Sequence, residues 1–126
     1  MNKKILISGS SKGIGFAIAK KLLEEGNQVV IHSRNRKKII SIKKKYDFTG
    51  AVFGDLSKNN QAKSVISQTI KILGGLDVLI CNAGQSKSSK PNKEHYGEWV
   101  KMFNQNFFTT SNLVENAKKY LKVSRG

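Results

Sequence analysis

Ser8-Gly9-Ser10-Ser11-Lys12-Gly13-Ile14-Gly15 is the stretch on which the fold turns. Before it, Lys3 to Ser8 is a short β-branched and leucine run, which predicts a strand buried on both faces. After it, Gly13 to Glu25 carries apolar residues at Ile14, Ala17, Ile18 and Leu22, the spacing of a helix. Gly26-Asn27 stops that helix. The same alternation continues outward. Gln28 to Ser33 predicts a second strand, Asn35 to Tyr46 a basic helix, and Ala51 to Phe53 a short third strand. Lys58 to Leu73 predicts an amphipathic helix ended by Gly74-Gly75, and Asp77 to Cys81 a fourth strand. Ser86 to Lys93, with the only proline at Pro91, reads as a surface loop. A last helix is expected from Glu94 or Tyr96 to Leu121, burying Val100, Phe103, Phe107, Val114, Ala117 and Leu121. Phe108 and Leu113 are expected on its outer side. Strand and helix alternate βαβαβαβα, so the expected class is α/β, a doubly wound parallel sheet with helices on both faces.

Composition narrows the function. With 38% apolar and 25% charged residues in 126, the chain is one domain's worth and has enough apolar content for a core. One cysteine excludes a disulfide framework and a thiolate zinc site. Two histidines far apart, His32 and His95, leave metal catalysis little to work with, and no metal is expected. No apolar run has the length of a bilayer span, and the basic start lacks the apolar length of a secretory signal. A soluble cytoplasmic protein is the expectation. The net charge is +15, from 23 basic and 8 acidic residues. Only Arg34, Arg36 and Arg125 among the basic residues are arginine, and the lysines are scattered through helices. That pattern predicts a solvated lysine surface with weak, salt-sensitive polyanion binding, and neither a specific nucleic-acid nor a membrane partner.

Three motifs carry chemistry. In the first turn Gly9 permits a tight bend, Gly13 lets a pyrophosphate approach the backbone, and Gly15 lets the helix pack closely. The N–H groups at the helix start then point at the phosphates. Asn82-Ala83-Gly84 follows the fourth strand, beside the first, where open α/β sheets bind ligands. Asn82 is placed to brace the neighbouring strand end, and Ala83-Gly84 leave room for a flat ligand. Asp55, in Gly54-Asp55-Leu56, is placed either to accept from an adenine amino group or to cap the next helix.

Together, Gly9-x3-Gly13-Ile14-Gly15, Asp55-Leu56, Asn82-Ala83-Gly84 and the segment around Asn106 resemble the short-chain dehydrogenase/reductase family, whose members have one compact Rossmann domain. The resemblance covers the whole chain and about the first half of a family member. It implies that Gly9, Ser10, Ser11, Lys12, Gly13, Ile14 and Gly15 line the pyrophosphate and adenosine ribose of a nicotinamide dinucleotide. Asp55 and Leu56 would contact adenine, and Asn82, Ala83 and Gly84 the adenine-side ribose. Asn106 matches the family's catalytic asparagine, which distorts its helix and holds a water of the proton relay. NAD-preferring members carry an acid at the end of strand two. Here that place is Ser33, followed by Arg34, so NADP is expected over NAD, its 2′-phosphate held by Ser33, Arg34 and Lys12.

The family's catalytic serine and Tyr-x3-Lys have no match. Tyr46, Tyr96 and Tyr120 are followed four places on by Gly50, Val100 and Ser124. The sequence stops where a fifth strand is expected. Residues 1–126 are therefore read as the N-terminal half of a Rossmann NAD(P)-binding domain, truncated after the fourth strand and its following helix. The implied activity is NADP-dependent carbonyl/alcohol interconversion by hydride transfer on a small molecule, in a full-length form that is a homo-oligomer. The opening motif with Arg34 resembles the group containing 3-oxoacyl-carrier-protein reductases. The alternative is a non-catalytic nucleotide-binding half-protein acting with a separate partner, and a third reading is a basic nucleic-acid-binding protein on a Rossmann scaffold.

Overall fold

The computed structural model describes residues 2–84 and 91–126. Residues 86–90 of the expected surface loop lie outside that set. Four parallel strands, β1 (Lys4–Ile7), β2 (Gln28–Ser33), β3 (Gly50–Phe53) and β4 (Val78–Ile80), form one sheet in the order β3-β2-β1-β4. The architecture is a doubly wound, Rossmann-like α/β fold. β1 sits centrally, pairing Leu6 with Val30 on one side and with Leu79 on the other.

Alternation along the buried strands sorts the core into two layers. Ile5, Ile7, Val29 and Ile31 face α1 (Gly13–Glu24) and α2 (Arg36–Tyr46), packing on Ala19, Ile39 and Phe48. Leu6, Val30 and Val52 face α3 (Asn59–Leu73) and α5 (Thr109–Ser124), packing on Val65, Ile66, Leu113 and Ala117. Turn chemistry sets the helix ends. Gly26 follows the end of α1 at φ +84° and donates to the Leu23 carbonyl, and Gly74 caps α3 at φ +73°. Asn35 caps α2 by accepting the Lys38 N–H at 3.0 Å, so this helix starts one residue later than its sequence suggests.

The last helix departs from the expected pattern. It is α4 (Tyr96–Phe103), a π turn (Asn104–Phe108) and α5 in continuous succession. The π turn accommodates extra residues per turn, which shifts the phase of everything beyond it. Leu113, expected outside, is completely buried, together with Thr109 and Ala117. Val100, Phe103, Phe107 and Val114, expected inside, are exposed, Phe103 and Phe107 by more than half. Ala117 and Leu121, also expected inside, do pack in the core, so uniform 3.6-residue counting places the end of the stripe correctly and the rest of it on the wrong side.

Candidate active site

The loops that leave the C-terminal ends of all four strands meet over β1 and β4, where the strand order reverses. They enclose a crevice of about 780 Å³. Its floor is the glycine loop. Gly9 has φ +61°, and a Cβ there would lie 2.8 Å from the Ala83 Cα, so the loop lies directly on the Asn82-Ala83-Gly84 turn. The contact is stitched by hydrogen bonds. The Asn82 amide donates to the Gly9 carbonyl at 2.9 Å, while the backbone N–H groups of Asn82 and Ala83 both donate to Ser8 Oγ. A Cβ on Gly15 would land on that Asn82 amide nitrogen and the Gly9 carbonyl oxygen. Gly13 differs: at φ +61° an added Cβ would meet nothing within 4 Å, so its surroundings are open for a ligand. Lys12 occupies the N-cap position of α1 without a side-chain cap.

Ser11, Lys12 and Gly13 line the crevice beside Gly9, as do Ser33 and Arg34, Asp55 and Leu56, and Asn82 to Gly84. Four expected residues are placed elsewhere. Ser10 is buried; its hydroxyl donates to the Ile7 carbonyl and accepts the His32 N–H, so it fastens the loop to the sheet and does not face a ligand. Gly15 is buried beneath the loop, and Ile14 points away from the crevice with three-quarters of its surface exposed. Asn106 lies in the π turn, its amide donating to the Met102 carbonyl. It lines a separate, smaller depression with Phe107 and Val114, although its Oδ1 is next to Gly84.

Asp55 does not cap α3. Its Oδ1 accepts from the Ser57 hydroxyl at 2.7 Å and from the Ser57 N–H at 3.0 Å, and the cap position belongs to Lys58. The hydroxyl bond above all holds this carboxyl below its usual range, against an opposing effect of burial and with help from the Ser57 N–H and the Lys58 and Arg34 charges. The other charges lining the crevice are Lys12, Arg34, Lys38 and Lys101, so it is cationic. Residue-by-residue reading passed over Lys38 and Asn35 at the start of α2, and Gly97, Lys101, Gln105 and Thr109 across the crevice. The Asn35 capping position was a usable signal for the first pair; the second group depends on the phase of the last helix.

His32 was also missed. It is 2% exposed, yet its ring edges the crevice. Nδ1 accepts the Gly9 N–H at 3.0 Å, and Nε2 is 2.9 Å from the Gly54 carbonyl oxygen. The only polar residue inside an otherwise apolar strand run was its signal. Among the described residues no group of His, Cys, Asp and Glu could hold a metal ion, and no helix is long and apolar enough to cross a membrane.

The short chain dehydrogenase family matches residues 3–126. A glucose 1-dehydrogenase from Gluconobacter oxydans is 41% identical over 87 residues, covering 65% of this chain and 33% of that protein. A 3-oxoacyl-[acyl-carrier-protein] reductase from Staphylococcus epidermidis is 30% identical over 120 residues, covering 91% of this chain and 49% of the reductase. Among solved structures, ligand-free aldohexose dehydrogenase from Thermoplasma acidophilum superposes with a TM-score of 0.81 at 27% identity, over 95% of this chain and 45% of that one. The chain thus spans between a third and about half of the length of these relatives. With the family matched almost end to end over the same strands, glycine loop and Asn-Ala-Gly turn, the chain belongs to the short chain dehydrogenases.

Proposed function

We propose that residues 1–126 form the dinucleotide-binding half of an NADP-dependent oxidoreductase that interconverts carbonyls and alcohols of small molecules. The observation that carries this reading is the cationic crevice over the switch point, open at Gly13 and bordered by Ser33 and Arg34 with no carboxylate at the end of β2. The residues fit the cofactor. The uncapped start of α1 and the open backbone at Gly13 suit a diphosphate. Arg34, Ser33, Lys12 and Lys38 border the place for a 2′-phosphate, and Asp55, Leu56 and Ala83 the place for adenine and its ribose. When bound, the nicotinamide exchanges a hydride with the carbonyl carbon. The glycine loop orients the diphosphate, Arg34 selects the phosphorylated ribose, and Asn106, beside Gly84, is the residue the resemblance assigns to the proton relay. The exposed apolar residues of α4 and the π turn, Trp99, Phe103, Phe107 and Phe108, support a homo-oligomeric assembly. A serine and Tyr-x3-Lys pair matching the family's have no counterpart in these 126 residues, so this chain assayed alone is expected to reduce no carbonyl above background. Measurable turnover by a clean preparation would overturn that expectation.

Titration calorimetry with NADP and NAD tests the cofactor. The parent is expected to bind NADP more tightly. Arg34→Asp is expected to weaken NADP on the order of tenfold or more, by removing a charge-assisted bond and adding a repelling carboxylate, and to spare NAD. Equal affinities in the parent, unchanged by the substitution, would sink the NADP assignment.

A further inference from the structure

We propose that His32 is the positioning residue of the glycine loop: as a neutral ring it clamps Gly9 to Gly54, and its protonation releases the loop and weakens binding of a dinucleotide's diphosphate. The geometry sets the ring's state. Nδ1 accepts from the Gly9 N–H, so it carries no proton, and Nε2 faces the Gly54 carbonyl, so it carries one. Gly9 and Gly54 both lie just beyond their strands, in the loops that form the crevice floor and one wall. The same residue binds the loop a second time through its backbone: the His32 N–H donates to Ser10 Oγ, and the Ser10 N–H donates to the His32 carbonyl at 2.9 Å. Rotation of the ring would give up both side-chain bonds.

A proton added at Nδ1 would face the Gly9 N–H, donor against donor, on a ring almost closed to solvent. The charged groups around the crevice oppose it. Arg34 directly follows the same strand, Lys12 lies in the glycine loop, Lys38 on α2 and Lys101 on α4. Asp55, beyond β3, is the one carboxylate lining the crevice among the described residues, and Ser57 occupies its Oδ1. Gly9 and Ser10, the residues of the first loop that bond His32, bring no titratable side chain. Burial above all, with a smaller push from Arg34, lowers the His32 pKa against the bond to Gly54. The unfolded ring takes its proton near the ordinary value of about 6.5, the folded ring only at lower pH. Stability from His32 is therefore complete above about pH 6.5 and is lost as the pH falls through the folded pKa.

The binding half of this proposal rests on the dinucleotide reading; the clamp itself does not. Nitrogen NMR of the ligand-free chain is expected to show the Nε2–H tautomer at neutral pH and a protonation midpoint below about 6.5. Protection of the Gly9 amide from exchange, relative to its intrinsic rate at each pH, is expected to fall at that same midpoint. ADP-ribose, whose diphosphate does not titrate near neutrality, is then expected to bind about tenfold more weakly below the midpoint, the worth of roughly one hydrogen bond. His32→Gln, which cannot take a proton, is expected to lose that pH step. An Nδ1–H tautomer, a Gly9 amide indifferent to the titration, or the same step persisting in His32→Gln would each overturn the proposal. The first two readouts need no variant to fold. Absence of ADP-ribose binding at every pH would overturn the dinucleotide reading, while tautomer and amide exchange still decide the clamp.

Discussion

Gly15→Ala is expected to abolish dinucleotide binding and to cost roughly 2–4 kcal/mol of stability, the sum of overpacking at a closed site and one lost hydrogen bond. The new methyl would fall between the Asn82 amide and the Gly9 carbonyl, which bond each other at 2.9 Å, and within 3.1 Å of the Ser10 Cα. Two of those three groups are backbone, and Ser10 is itself fixed by bonds to Ile7 and His32, so nothing nearby yields cheaply. Either α1 moves outward or the loop leaves the Asn-Ala-Gly turn, and in both cases the diphosphate seat is lost. Gly13→Ala is the matched control. It meets open space, so its cost in stability is limited to about 1 kcal/mol for a left-handed residue, while its methyl enters the room left for the ligand. Thermal melts and calorimetric titration separate the two: Gly15→Ala loses both stability and binding, Gly13→Ala chiefly binding. A Gly15→Ala chain that melts with the parent and still binds would show that the loop does not lie on Asn82 as described.

The difference between these glycines marks how far the sequence alone can be read. That three glycines shape one turn followed from their position between a strand run and a helical run. Gly9 as the bend, Gly13 as the open approach and Gly15 as the close-packed position followed as well, and the geometry agrees; what Gly9 and Gly15 pack against did not, because it depends on the β4 turn, some seventy residues away, coming to rest on Gly9. Ser10 shows the same limit. A hydroxyl in a phosphate-binding loop invites a ligand role, but here the pairing of β1 with β2 brings it under His32, where it satisfies buried backbone groups. The strands were legible because residues such as Val29, Val30 and Ile31 have no polar face to misassign, and the ends of α1 and α3 because Gly26 and Gly74 adopt positive φ. The start of the last helix at Tyr96 was legible too, but its buried side was not, since aromatic residues fall on more than one side of that helix and periodicity cannot choose among them.

That helix supplies the other large expected effect. Leu113→Ala is expected to destabilise the chain by about 2–5 kcal/mol, and Phe107→Ala by no more than about 1 kcal/mol. A helix of unbroken α geometry burying Phe103, Phe107 and Val114 would give the reverse order. The π turn at Asn104–Phe108 takes more residues per turn than the α-helix around it, so the stripe beyond it shifts and runs through Thr109, Leu113 and Ala117. There Leu113 shares one cluster with Leu6, Val30 and Leu56, all closed to solvent. The register is held by polar bonds on the same side: Asn112 donates to the Leu56 carbonyl at 3.0 Å, Asn116 to Asn59 Oδ1, and Thr109 to the Gln105 carbonyl inside the π turn. Phe107 contacts Phe108 edge to face at 5.3 Å and Phe103 at 6.2 Å, ring contacts on an exposed surface that remove little area from water. With total stability of a domain at roughly 5–15 kcal/mol, the loss at Leu113 is a large share of the whole and should lower the denaturation midpoint plainly. Because Gln105 in the π turn and Thr109 at the start of α5 line the crevice, a result with Phe107→Ala the costlier change would displace the crevice wall along with the core stripe.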